Sequence, residues 1–319
     1  MGIRHRGGKP RAAAADQKSI GMHVAAKSAV IILNPRSGTA LRRARPEDVA
    51  SALAASGIDN SIAIIDRHQS AAELARGAVS QGVDVVIACG GDGTVSAVAS
   101  ALAGSETALG VIPLGTLNHF AKDARLPLDI GSAAAVISRR KVEYVDVGEV
   151  NGRIFVNNSS LGIYPNIVIE RERRRRSGRN KWLAMGEATL QAIRRYPFLD
   201  VRIEARGERI AQRTPFVFVG NNEYEVKGLH IGSRRLLNAG RLYVYIASPV
   251  SRVGFVGMAL AALLGVIDRT RSLQMFGVPE AWIDTQKRRL RVSVDGEVIH
   301  LHSPLRYVLR PRALKLIVP

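Results

Sequence analysis

The chain has a single cysteine, Cys89, among its 319 residues. That excludes an internal disulfide framework and a cysteine-built zinc ribbon, and it fits a reducing, cytoplasmic compartment. Aromatic residues make up only 5% of the chain, so the core must rest on Ala, Val, Ile and Leu. Acidic residues are scarce beside basic ones: 27 Asp+Glu stand against 46 Lys+Arg, a formal net charge of +19. A chain this basic is drawn to something anionic, such as nucleic acid, an anionic membrane or phosphates. Long apolar runs are missing. The most apolar stretch, 253–267, has 15 residues, short of the ~20 that span a bilayer. A buried helix is expected there, with a helix lying on a bilayer surface as the lesser alternative. The first 28 residues lack the apolar run of a signal peptide. Neither G-x-x-x-x-G-K-[ST] nor G-x-G-x-x-G occurs, which weighs against a Walker-type ATPase and a dinucleotide oxidoreductase.

What is present is an ordinary globular balance, 46% hydrophobic and 23% charged. Residues 1–28 read as a disordered basic tail. From Ala29 short apolar runs alternate with helical patterns. Strands are expected at 29–33, 61–66, 83–89 and 108–112, and helices at 46–55, 70–81 and 94–103. Ser70 and Glu73 form a capping box. Val95, Val98, Ala99 and Leu102 follow the spacing of an amphipathic helix. This alternation predicts a doubly wound, mostly parallel sheet in an α/β domain over 29–145. Beyond it, runs of alternating polarity at 153–157, 200–205, 215–219, 241–247 and 288–294 predict an antiparallel β-sandwich domain over 146–319. Helical stretches at 167–176 and 181–196 are inserted in it, and the last strand is free to return to the first domain.

The strongest local signal is Gly90-Gly91-Asp92-Gly93-Thr94, between an apolar strand and an amphipathic helix. Glycines let backbone N–H groups approach an anion, and the helix N-terminus adds positive potential. Asp92 would repel a bare phosphate; a divalent cation between carboxylate and phosphates removes that conflict. The bland alternative is a tight turn with Asp92 capping a helix. Two more loops fall at C-terminal ends of expected strands, where ligands bind in such sheets. They are Asn34-Pro35-Arg36-Ser37-Gly38 and Pro113-Leu114-Gly115-Thr116-Leu117-Asn118. Each alone is an ordinary turn; three on one sheet edge are far more specific.

Together with Asp295-Gly296-Glu297, these segments, in this order, resemble the diacylglycerol kinase catalytic domain family, related to sphingosine and ceramide kinases. The resemblance runs from about Ala29 to the C-terminus. It implies ATP- and Mg2+-dependent phosphorylation of a lipid hydroxyl, with diacylglycerol the leading acceptor and ceramide or another long-chain lipid second. It also implies that Asn34, Ser37, Gly38, Gly90, Gly91, Asp92, Gly93, Thr94, Gly115, Thr116 and Asn118 hold the nucleotide. Asp295, with Glu297, or else Asp92, would take the acceptor proton. From the fragment alone, Asp295-Gly296 is a hairpin turn. The chain departs from the family at His119, where a metal-linked carboxylate is expected. Asp123, four residues on, is expected to take that place, and Asp146 matches a further family carboxylate. Ala239 stands where a structural metal site has aspartate, and Ile65 or Asp66 where a threonine would touch the nucleoside. A soluble-substrate kinase of the NAD kinase type shares the Gly-Gly-Asp-Gly loop, and a protein that has lost its chemistry is the third reading.

Residues 170–181 hold seven basic and two acidic side chains. They read either as a solvated face or as a dock for an anionic membrane, from which a lipid kinase must draw its substrate. Trp182, Leu183 and Met185 follow and suit an interface. That gives a cytoplasmic, peripherally membrane-associated enzyme. Nucleic acid is not expected, since no stacking platform or recognition-helix pattern occurs. His300 and His302 share one side of a strand and read as a surface pair. A homodimer is compatible with the sequence, which leaves the oligomeric state open.

Overall fold

The computed structural model describes residues 29–37, 46–58, 60–162, 198–205, 207–227, 230–247 and 273–319. The basic tail, the arginine run with Trp182, the 253–267 stretch, the two inserted helices and Gly38 lie outside the described residues.

The first unit runs β1 (Ala29–Leu33), α1 (Pro46–Ala55), β2 (Asn60–Ile64), α2 (Ala71–Ser80), β3 (Val85–Gly90), α3 (Asp92–Leu102), β4 (Ala108–Pro113), α4 (His119–Asp123) and α5 (Ile130–Arg139). β2, β1, β3 and β4 pair in that order, all parallel. β3 and β4 are buried at every position, which is why their sequences run apolar instead of alternating. The capping box forms: Ser70 Oγ accepts from Glu73 N at 3.3 Å, and Glu73 Oε2 accepts from Ser70 N at 2.8 Å. Cys89 is buried in β3, and desolvation pushes its thiol pKa up. It is a core residue.

The second unit runs β5 (Val142–Val150), β6 (Arg153–Phe155), β7 (Asn158–Gly162), β8 (Leu199–Ala205), β9 (Glu208–Thr214), β10 (Phe216–Asn221), β11 (Tyr224–Lys227), β12 (His230–Arg234), β13 (Leu242–Ala247), β14 (Leu273–Val278), β15 (Glu280–Thr285), β16 (Arg289–Val294), β17 (Glu297–His302) and β18 (Leu305–Ile317). One face of the sandwich is the sheet β14-β13-β10-β7-β16-β17; the other contains β18-β15-β8-β9. Their inner residues, among them Leu161, Val219, Ile246, Ile283, Val292 and Tyr307, form one core. β11 and β12 make a separate hairpin.

β18 joins the two units. Its first half pairs with β15, while Leu316 near its end pairs in parallel with Leu109 of β4. β5 follows it antiparallel throughout, so the boundary expected at 145 falls inside a strand. The register shifts between Arg310 and Leu314, where three residues of β18 face the single Asp146. The bulge bends both strands from one sheet into the next. The Asp146 carboxylate pins it, accepting from Arg312 N and Gly240 N, both at 2.8 Å. Asp146→Ala would leave these donors unpaired beside a buried site. A loss of about 2–4 kcal/mol is expected in urea unfolding, with Asp146→Asn losing less.

Candidate active site

β1 sends the chain to β2 on one side, while β3 lies on its other side. The crevice between β1 and β3 is therefore the switch point of the sheet, the place where α/β folds bind ligands. Hydrogen bonds continue the ladder past the strand ends: Asn34 N donates to Cys89 O at 3.0 Å and Leu114 N to Gly90 O at 2.8 Å. This brings the loops after β1, β3 and β4 side by side.

The loops brace one another. Asn34 Nδ2 donates to Thr94 Oγ1 at 2.9 Å, and Gly91 N donates to the buried Ser37 Oγ at 3.1 Å. Asn118 is in the left-handed region (φ 51°) and closes its own loop, with Oδ1 accepting from Gly115 N at 2.9 Å and Nδ2 donating to Gly115 O at 3.0 Å. Asn34, Ser37 and Asn118 thus spend polar groups on shaping the loops, while Thr116 and Gly93 are exposed at the rim. Gly91 and Gly115 meet backbone to backbone. A Cβ on Gly115 would lie 2.6 Å from Gly91 Cα and from Asn118 Oδ1. Backbone cannot retreat as a side chain can, so Gly115→Ala is expected to cost about 1–3 kcal/mol. Thermal unfolding and nucleotide titration should both register it.

Asp92 is the first residue of α3, after an N-cap, Gly91, that makes no side-chain cap bond. Its carboxylate does not cap its own helix. Oδ1 accepts from Phe120 N of α4 at 3.2 Å. In front of the N-terminus of α3, a Cβ on Gly93 would meet nothing within 4 Å. A cleft of ≈ 340 Å³ opens there, lined by Asn34, Gly93 and Thr94 and by Ile65, Asp66 and His68 after β2. Asp66 is held by His68 N at 2.7 Å and Gln69 N at 2.8 Å, and these bonds lower its pKa.

The second unit contributes the turn between β16 and β17. Asp295 (φ 47°) and Gly296 (φ 85°) are both left-handed, the signature of a two-residue hairpin. The hairpin reading is therefore correct, yet the side chain does more. Asp295 Oδ1 accepts from Asn157 N at 2.8 Å and Asn158 N at 3.0 Å; Oδ2 accepts from Val156 N at 2.8 Å and from the Ser96 hydroxyl. All of its acceptor positions are used. Burial raises its pKa, against the opposing pull of these donors. Ser96 lies four residues after Asp92, so both occupy one face of α3, with Cβ atoms about 5–6 Å apart by helix geometry. Asp92 and Asp295, contributed by different units, thereby converge on one helical turn. Glu297 is exposed beyond the turn.

The other expected metal carboxylates sit elsewhere. Asp123 forms a buried ion pair, Arg234 Nε to Asp123 Oδ2 at 2.7 Å, and Asp146 pins the bulge. Among the described residues no three His, Cys, Asp or Glu side chains are grouped to hold a metal. A magnesium ion needs no such group. It commonly takes one or two carboxylates and completes its shell with phosphates and water. Half-buried Asp92, beside an open helix N-terminus and accepting an N–H donor at Oδ1 only, fits that donor set, whereas both oxygens of Asp123 and of Asp146 accept N–H donors.

Sequence reasoning passed over Ser96, Arg234 and Asn157. Ser96 had a legible signal in its spacing from Asp92; the other two meet Asp123 and Asp295 only through tertiary folding. On the outer face of the β7–β10–β13 sheet, Phe218 packs edge-on against Tyr224 and Tyr245, with centroids 5.4 and 5.6 Å away. Ser160 and Ser293, paired across β7 and β16 two residues from Asn158 and Asp295, share that face. Both are buried with no hydrogen-bond partner among the described residues.

Two family models match successive parts of the chain. Residues 28–150 match the diacylglycerol kinase catalytic domain, and 167–318 match the YegS C-terminal NAD kinase beta sandwich-like domain. A diacylglycerol kinase of Staphylococcus saprophyticus is 36% identical over 146 residues, covering 45% of this chain and 48% of that one. The chain thus spans about half the length of the curated relatives it matches. A diacylglycerol kinase structure from Bacillus anthracis superposes with a TM-score of 0.68 at 24% identity, over 92% of this chain and 97% of that one. A yeast NADH kinase complexed with NADH shares the fold more distantly, with a TM-score of 0.52 at 12% identity over 92% and 83% of the two chains.

Proposed function

The chain belongs to the diacylglycerol kinase catalytic domain family, and on that premise we propose that it transfers the γ-phosphoryl group of ATP to a lipid hydroxyl, most simply that of diacylglycerol to give phosphatidic acid. The observation that carries the reading is the convergence of Asp92 and Asp295 on one turn of α3. A half-buried carboxylate at the start of α3 and a second, desolvated carboxylate bonded to Ser96 then share one helical turn, next to Gly93 and Thr94, which line a nucleotide-sized cleft.

In the proposed reaction the nucleoside part of ATP occupies the cleft lined by Asn34, Ile65 and Asp66. Its phosphates meet the N-terminus of α3, where backbone N–H groups and the helix dipole favour negative charge. Asp92 would hold magnesium, which supplies charge neutralisation at the β- and γ-phosphates. A bond forms between the lipid oxygen and the γ-phosphorus, the bond to the β,γ-bridging oxygen breaks, and ADP leaves. The hydroxyl proton passes to a carboxylate late in a loose transition state. Asp295 suits that task because burial raises its proton affinity. Three of its four donors are backbone N–H groups and cannot leave; the Ser96 hydroxyl can rotate away, so proton entry is assigned to that oxygen.

Incubation with labelled ATP, magnesium and a total lipid extract tests the reading. Labelled phosphatidic acid is expected. Labelled ceramide phosphate would change the acceptor but keep the chemistry, and no labelled lipid at all would remove it. The NAD kinase-like sandwich keeps one rival. Phosphorylation of NAD in detergent-free buffer, with none of lipid, would decide for a soluble acceptor. No helix among the described residues is long and apolar enough to cross a membrane. Peripheral docking on anionic lipid, proposed from the +19 charge, is checked by sedimentation with phosphatidylglycerol vesicles. Binding should weaken steeply with salt.

A further inference from the structure

We propose that Arg234 is a positioning residue for Asp295, anchored by Asp123 to the nucleotide side of the crevice. This rests on the reading of Asp295 as proton acceptor. The Arg234 side chain is 0% exposed and that of Asp123 5%. Besides its bond to Asp123, the guanidinium donates through Nη1 to Val156 O at 2.6 Å and Asn221 O at 3.1 Å, and through Nη2 to Asn157 Oδ1 at 2.8 Å. It lies 5.3 Å from the centroid of the Tyr224 ring.

The key unit is the peptide group between Val156 and Asn157. Arg234 holds its carbonyl, and its N–H donates to Asp295. A peptide with a cation on its oxygen and a carboxylate on its hydrogen is polarised from both ends, so the two bonds reinforce each other. The segment that supplies three of the four donors to Asp295 is thus itself fixed by Arg234. On the far side, Asp123 is the last residue of α4, and the second residue of that helix, Phe120, donates to Asp92. The contacts close a ring: Asp92, α4, Asp123, Arg234, the 156–158 segment, Asp295, Ser96 and back along α3 to Asp92.

Stability alone is a weak reason for this arrangement. A buried ion pair often contributes less than apolar packing of the same volume. What the ring supplies is a fixed relation between two carboxylates that come from different units. Misplacement of a reacting group by about 1 Å can cost 10²-fold in rate.

The test compares full-length Arg234→Lys, Asp123→Asn, the double variant and Asp295→Asn, with diacylglycerol in mixed micelles. Lysine keeps the charge but loses the fork that holds Asp123, Val156 and Asn157 at once. Each single variant is expected to lower kcat by about 10²-fold, with KM for ATP and for lipid within about threefold. The double variant should be no worse than the poorer single, and Arg234→Lys should cost nothing further in Asp295→Asn. A normal kcat in Asp295→Asn would remove the base assignment itself. An inactive Asp295→Asn beside a normal Arg234→Lys would overturn the positioning role alone, as would a loss confined to KM. If Arg234→Lys does not fold, Asn157→Ala removes one acceptor and keeps the ion pair. It should still lose about tenfold in kcat, and a normal kcat there would equally overturn the role.

Discussion

Asp92→Ala is expected to lower kcat by about 10³-fold or more, equivalent to roughly 4 kcal/mol of transition-state stabilisation. The magnitude follows from what the carboxylate faces. It lies half-buried at the start of α3, where the helix dipole and the open space before Gly93 favour a triphosphate. On the proposed reading, the phosphates would still find the N–H groups without the carboxylate, but the cation would lose its protein ligand. KM for ATP should therefore rise along with the fall in kcat. Asp92→Asn separates charge from structure. Asparagine can still accept from Phe120 N and hold α4, so this variant should melt near the wild type and still be nearly inactive. Thermal unfolding beside steady-state kinetics at several magnesium concentrations decides it. An Asp92→Asn enzyme with wild-type turnover would show that the carboxylate serves only to hold α4.

The second large effect is at the β16–β17 turn. Asp295→Asn should reduce kcat by about 10²–10⁴-fold, the range for loss of a general base, while Glu297→Gln should stay within a few-fold of wild type. The two carboxylates are two residues apart but differ in surroundings. Glu297 is exposed; Asp295 is turned inward onto Val156, Asn157, Asn158 and Ser96. Because burial raises the Asp295 pKa, its ionised, proton-accepting form appears only above the usual carboxylate range of about 4. The acid limb of kcat/KM should be displaced upward accordingly, and Asp295→Asn should abolish that limb along with most of the rate. Ser96→Ala removes a donor that lowers the Asp295 pKa, so it should move the acid limb further upward and leave KM for ATP little changed. If Glu297→Gln is the damaging change instead, the proton goes to the exposed carboxylate.

The first unit was largely legible in the sequence because its signals are local. Ala29–Leu33 and Pro46–Ala55 have the expected bounds, and the Ser70–Glu73 box caps α2 as its spacing implied. Expected and observed ends differ by up to two residues at β2, β3 and α3; α3 begins at Asp92 rather than Thr94, because the glycines of the loop mask the first turn. Helix α5 was not expected, and α4, where His119 and Asp123 were expected to share a helix face, has five residues, too few to show a period. In the second unit the alternating strands were visible, but the order β14-β13-β10-β7-β16-β17 depends on long-range pairing that no local pattern encodes. The same holds for the site. The glycine loops announced themselves by composition. That Asp123 would meet Arg234 depends on two positions 111 residues apart in sequence folding together.

The most direct measurement is a crystal soaked with a non-hydrolysable ATP analogue and Mn2+, with the metal located by anomalous scattering. The triphosphate should lie across the N-terminus of α3 between the Asn34 and Gly115 loops, with the anomalous peak on the Asp92 carboxylate. A crevice that stays empty at saturating nucleotide, or a peak on Asp123 or Asp146 with none at Asp92, would contradict the site at its root.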